Sequence, residues 1–260
     1  MNKILIILII LQLLVSILIA EDKGKLEEFE EELNKPVEHN NNENNNSDYG
    51  DEDEEDVFDN LILCIAHEIF IGSEPSLYIY KFQPYIYYDS YSGRYGDEGV
   101  SLDTDIDFKY IYSSSNLTGI SFNGSFFFAH VMNLKCNYQK LNEELENSSD
   151  EMEIYEIFMD YYRVRLPGFN WFWGIGAKGL NRNNNYWGFA LNTGFEIYPF
   201  KPVSIDLAAN IGWLNEHPVS KINTDFNIHY WRIKFTTGYQ RLKTGYTEIN
   251  SFNFGLGFNF

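Results

Sequence analysis

The stretch Phe252-Asn253-Phe254-Gly255-Leu256-Gly257-Phe258-Asn259-Phe260 alternates without a break. Every even position is a large apolar side chain, and every odd one is Asn or Gly. A period of two is that of a β-strand whose two faces meet different surroundings. The same period recurs upstream in Val100–Tyr112, Thr118–His130, Phe169–Lys178, Trp187–Pro199 and Val203–Trp213. It is weaker in Leu77–Tyr88, Met152–Arg165, Thr224–Tyr230 and Arg232–Leu242. In Met152–Arg165 the phase slips, and a bulge near Tyr161 would restore one apolar face. These segments predict about ten strands, with eight or twelve as alternatives.

Tight connections are expected at 113–116, 166–168, 200–202 and around Trp231. Longer polar ones are expected at 89–99, 133–151, 179–185, 215–221 and 243–248. Alternating short and long connections describe an antiparallel up-and-down barrel, so the fold class is all-β. Residues 61–75 are left as a connecting segment, a short helix or an extra strand, and 76–260 as the barrel.

The two faces decide which way the barrel is turned. In the six clear strands the apolar face carries 17 aromatic rings, and the polar face only Phe127, Phe172 and Tyr198. Eight glycines lie on the polar face and one, Gly124, on the apolar face. Large rings fit against lipid, and small residues fit a narrow lumen. A soluble barrel would put the rings inside. A closed barrel also satisfies every backbone N–H and C=O within hydrocarbon. The expectation is a transmembrane barrel with its aromatic face outward.

The chain has 260 residues, 38 acidic and 19 basic, for a net charge of −19, and 17% of it is aromatic. Residues 21–60 hold 17 of the acidic side chains with three lysines. That segment includes the tract Asn40–Asn46 and the run Asp51–Asp56, and it is expected to be disordered. Within it, Lys25–Leu33 would form at most a transient helical turn or two. Ahead of it, Lys3 and the apolar run Ile4–Ala20 describe a signal peptide over 1–20, cleaved after Ala20, or else an uncleaved anchor. The acidic balance speaks against a nucleic-acid partner.

The end of the chain, Gly238-Tyr239-Gln240-Arg241-Leu242-Lys243 and then Phe254-Gly255-Leu256-Gly257-Phe258-Asn259-Phe260, resembles the last two strands of small bacterial outer-membrane β-barrel proteins of the OmpA-like kind. Tyr198-Pro199 before a tight turn resembles their periplasmic hairpins. The resemblance implies a bacterial outer-membrane location and outer-membrane lipid around the barrel. It also implies that Phe258 and Phe260 form the end read by the barrel assembly machinery.

Chemistry is sparse. His67-Glu68 starts like a zinc-binding helix motif, but Ile71 stands where the second His belongs. There is no phosphate-binding loop, no nucleophile elbow and no CxxC, so no cofactor, metal or catalytic residue is assigned and an enzyme is not expected. Glu216-His217 is an acid–His pair common by chance. Cys64 and Cys136 are expected on opposite sides of the membrane, Cys136 in an outer loop, which precludes a bridge.

The polar face points Asp103, Asp105, Asp107, Glu196, Asp206 and Asp225 into the lumen, with Lys81, Lys109, Lys178, Arg232 and Lys234. Arg163, Arg165, Glu156 and Asp160 join them if they face inward. A selective pore is lined mainly by one sign of charge, so this near-balance reads as a lumen plugged by ion pairs. The expected role is structural or one of surface interaction, with loops 89–99 and 133–151 meeting an extracellular ligand. A narrow porin for small solutes is the alternative.

Overall fold

The computed structural model describes residues 24–36, 103–113, 116–129, 131–145, 148–166 and 168–259. Ten antiparallel strands form a closed barrel: β1 (Asp103–Tyr112), β2 (Leu117–Ala129), β3 (Met132–Leu145), β4 (Ser148–Leu166), β5 (Phe169–Asn181), β6 (Asn185–Phe200), β7 (Val203–Leu214), β8 (His217–Tyr230), β9 (Ile233–Thr244) and β10 (Thr247–Asn259). Each strand pairs with its sequence neighbours, and β1 closes on β10 with Asp105 opposite Asn259 and Tyr112 opposite Phe252. Closure leaves no edge strand to seek a partner.

The expected ten strands are present, but they are a different ten. Leu77–Tyr88, the segment 61–75 and loop 89–99 lie outside the described residues. In their place the stretch 133–151, expected to be an outer loop, forms β3 and the start of β4. Its register with β4 is continuous from Met132 opposite Tyr161 to Leu145 opposite Ser148. Cys136 therefore stands exposed on a strand. Adding β3 moves the turn at 113–116 to the mouth opposite the turns at 167–168, 201–202 and 231–232. The long polar connections at 179–185, 215–221 and 243–248 shrink because the strands run through them. The phase slip in β4 is a bulge: pairing with β5 shifts between Tyr162 and Val164, just past Tyr161.

The outer face is apolar. Phe108, Ile120, Trp187, Phe189, Phe235 and Phe254 are each at least half exposed. Ring pairs such as Phe108 with Phe122 and Phe189 with Trp213 bridge neighbouring strands on that face. The lumen face holds most of the polar residues and most of the glycines, while Gly124 faces outward. This is the arrangement of a membrane barrel rather than a lipocalin-like one.

Lys25–Leu33, from which only a transient turn was expected, is a nine-residue helix, α1. It buries Leu26, Phe29, Glu30 and Leu33, spaced i, i+3, i+4 and i+7 on one face. That face fills the mouth opposite to the one where β1 begins and β10 ends.

Candidate functional site: a helix at one mouth and a charged belt in the lumen

At the capped mouth the inward positions turn apolar. Ile111, Leu117, Leu141, Met152, Ile154 and Leu180 form one cluster with Leu26, Phe29 and Leu33, joined by Tyr186, Leu214, Val219, Leu242 and Ile249. A nine-residue helix is too short to be stable alone in water, so this packing holds it. Polar contacts fix its orientation. Glu143 accepts the backbone N–H groups of Lys25 at 2.9 Å and Leu26 at 3.0 Å, supplying the N-terminal cap that Gly24 cannot. At the other end the Asn215 amide donates to Leu33 O at 2.6 Å, and the Tyr186 hydroxyl to Asn34 Oδ1 at 3.0 Å.

Glu30 is the buried pin. It accepts from Arg182 Nη1 at 2.6 Å, Asn183 Nδ2 at 3.0 Å and the Asn184 N–H at 3.0 Å. Arg182 also binds Asp150 through Nε and Nη2. Burial alone would raise the Glu30 carboxyl, but Arg182 and the two asparagines outweigh it and hold the group below its ordinary value. Gly245, in the β9–β10 turn at φ +51°, serves twice. The turn needs the left-handed conformation, and a Cβ there would lie 2.3 Å from Glu32 Oε2.

Below the helix lies a belt of ion pairs. Glu156 sits between Lys178 at 3.1 Å and Lys221 at 3.0 Å, all three at most 2% exposed. Lys178 also donates to Asn210 Oδ1. Across the barrel Lys109 pairs with Asp225, and Lys234 pairs with Asp107 at 2.9 Å. Lys135 pairs with Asp160 at 2.9 Å, with its ammonium 3.5 Å from the centre of the Phe172 ring. The lumen glycines make room for these reaches. Gly257 lies opposite both Asp107 and Lys234. A Cβ there would lie 2.1 Å from Asp107 Oδ1 and 2.8 Å from Lys234 Cε. Gly174 and Gly238 stand in the same relation to Asp160 and Asp225, at 2.0 Å and 2.1 Å from their Oδ1 atoms.

Beyond the belt, towards the mouth where the strands begin and end, Phe127, Tyr162 and Phe172 form a small cluster. Arg165 lies 5.5 Å from the Phe127 ring, and both it and Arg163 are buried. Next to this cluster Glu196 accepts from Tyr162 at 2.6 Å and Asn170 at 2.8 Å. Asp206 accepts from Asn227 at 2.7 Å.

Of the residues expected in the lumen, Asp105, Asp107, Lys109, Lys178, Glu196, Asp206, Asp225 and Lys234 are inside it. Lys81 and Phe260 are outside the described residues, as is the side chain of Asp103. Arg232 lies in the β8–β9 turn beside the Trp231 ring, just before β9 begins at Ile233, with its Nε buried. Lys135 and Lys221 were missed, since both fell in stretches read as loops. Asp107 pairs with Lys234 on β9, and Lys109 pairs with Asp225 on β8. Glu216 is in the β7–β8 turn, and His217 contacts the α1 end through Nε2 and Lys35 O at 2.7 Å. Phe258 is on the outer face, 36% exposed.

No family model matches the chain, and no curated protein does. Among solved structures it is similar to the N-terminal β-barrel domain of OprF from Pseudomonas aeruginosa. That match has 10% identity, covers 61% of this chain and 97% of that one, and has a TM-score of 0.31. OprG from the same organism gives 10%, 62%, 96% and 0.33. Ail, the attachment invasion locus protein of Yersinia pestis, gives 11%, 62%, 97% and 0.28. At these values the likeness is one of barrel architecture and brings over no residue roles.

Proposed function

We propose that the chain is a small outer-membrane β-barrel protein that does not conduct, and that its role is structural and surface-presenting. The observation that supports this reading best is the double obstruction of the lumen. The α1 helix packs against a complete apolar ring at one mouth, and the belt around Glu156 crosses the lumen below it. Either barrier alone interrupts a water-filled path.

The outer face supports the membrane setting. A belt of half-exposed Phe, Trp and Ile is costly in water and suited to hydrocarbon. Phe258 and Phe260 act as the end read by the assembly machinery. At the capped mouth the chain presents Glu27 and Glu31 of α1 beside Glu144 and Glu151, all exposed. Among the described residues, that exposed acidic rim is the surface offered for contact, since 133–151 is largely strand.

Cell fractionation at native expression tests this reading. The protein should separate with the outer membrane and change gel mobility on heating, as a folded barrel does. Recovery in a soluble or inner-membrane fraction would overturn it. Changing Phe260 to Asp should lower the amount that arrives.

A further inference from the structure

Between the charged belt and the mouth where β1 begins lies a polar cavity of about 150 Å³. That is roughly the volume that takes a benzene-sized molecule. Asn259, only 4% exposed, lines it with an amide oxygen that has no donor. Asp107 uses Oδ2 on Lys234 and leaves Oδ1 buried without a donor.

Glu196 and Asp206 face each other across β6 and β7, two like charges side by side. Both are held by neutral groups, Glu196 by Tyr162, Asn170 and Tyr198, and Asp206 by Asn227. Among the described residues neither has a Lys or Arg nitrogen within 4.0 Å. The two ammonium groups in the lining are already committed, Lys135 to Asp160 and Lys234 to Asp107. The lining is therefore rich in acceptors, and among the described residues the Glu196–Asp206 pair is the part of it without a bonded cation. Among the described residues no group of three or more His, Cys, Asp or Glu is disposed to hold a metal ion. Phe127, Tyr162 and Phe172 line it too, with Lys135 already over the Tyr162 and Phe172 rings and Arg165 over those of Phe127 and Tyr162.

We propose that this vestibule binds a small organic ammonium ion, a primary amine or short diamine, with Glu196 and Asp206 as its counter-charge and Asn259 as a further acceptor. Binding neutralises the paired carboxylates and satisfies the amide oxygen with N–H donors.

Butane-1,4-diamine titrated calorimetrically into the full-length protein in micelles at low salt should give a saturable one-to-one isotherm. Asp206→Asn and Glu196→Gln should each weaken it by about tenfold or more, the loss expected for a charge-assisted hydrogen bond. Asn259→Leu should weaken it less, and Glu151→Gln, exposed at the other mouth, should leave it unchanged. Propionate should give no saturable heat. Heat-dependent gel mobility confirms that each variant is folded. On the unaltered protein, the diamine affinity should fall as salt is raised. No saturable diamine binding, equal binding of propionate, an affinity indifferent to both carboxylates, or one unmoved by salt would each overturn the proposal.

Discussion

Where α1 docks, the inner wall is made of Ile111, Leu141, Leu180, Leu214, Leu242 and Ile249, each at most 1% exposed. Deeper in the barrel that wall carries Lys109 on β1, Glu156 on β4, Lys178 on β5 and Lys221 on β8. The first region buries apolar surface, a contribution that is non-directional and weakly sensitive to salt. The second buries charges whose separation from water is offset only while every partner is in place. One barrel thus holds a region that tolerates small changes of shape and one that tolerates almost no loss of a partner.

The belt is where this contrast breaks hardest. Glu156→Gln removes the anion shared by Lys178 and Lys221 and leaves two buried ammonium groups without it. The folded barrel should lose about 3–5 kcal/mol, read as a shift in the urea midpoint of unfolding in micelles. An unshifted midpoint would mean that the belt is hydrated and exerts no closure.

At the capped mouth, Phe29→Ala should cost about 3 kcal/mol, but the cost should fall on docking and not on the barrel. The helix should become open to protease while heat-dependent mobility and the β-sheet spectrum stay unchanged. Loss of both together would show that cap and barrel fold as one unit.

Gly257→Val sharpens the contrast within the belt. Its Cβ would meet Asp107 Oδ1 at 2.1 Å and push apart the Asp107–Lys234 pair. The expected loss is about 1–3 kcal/mol by urea unfolding, as for other overpacked sites. The same change at Gly124, which faces outward with only a Phe122 contact at 3.9 Å, should cost little.

The smallest effect is on pH. The Glu30 carboxyl is held below its ordinary 4.5 in the docked state. Its contribution to docking is therefore full above that pH and is lost as pH falls through the depressed docked value. Protease accessibility of residues 24–36 should rise only at the acid end of a pH series, and Glu30→Gln should remove that rise. A rise near neutral pH would assign docking to some other group.

The strands and their outward face were legible because period two was unbroken where lipid and lumen differ. Phe252–Asn259 and Phe169–Lys178 read correctly from spacing alone. β3 was not legible, since Asn133–Glu144 mixes Lys, Gln, Asn and Glu with few apolar residues, and only pairing with β4 makes it a strand. Missing it hid Lys135, the partner of Asp160. The α1 helix left a trace that went unread. Ile111, Leu180, Leu214, Leu242 and Ile249 occupy inward phases at one end of their strands, where water would be a poor neighbour. A ring of such residues calls for an apolar cap, and Leu26, Phe29 and Leu33 are spaced to provide it. Which aspartate meets which lysine could not be read from a single strand, because each pair spans strands distant in sequence.

The steady conductance of the purified full-length protein in a planar lipid bilayer tests closure most directly. The intact chain should pass little or no steady current. Removal of residues 24–36 should leave the lumen closed, since the Glu156 belt remains. Glu156→Gln combined with that removal should open a small leak. A large, stable conductance in the intact protein would contradict the account and make the lumen a channel.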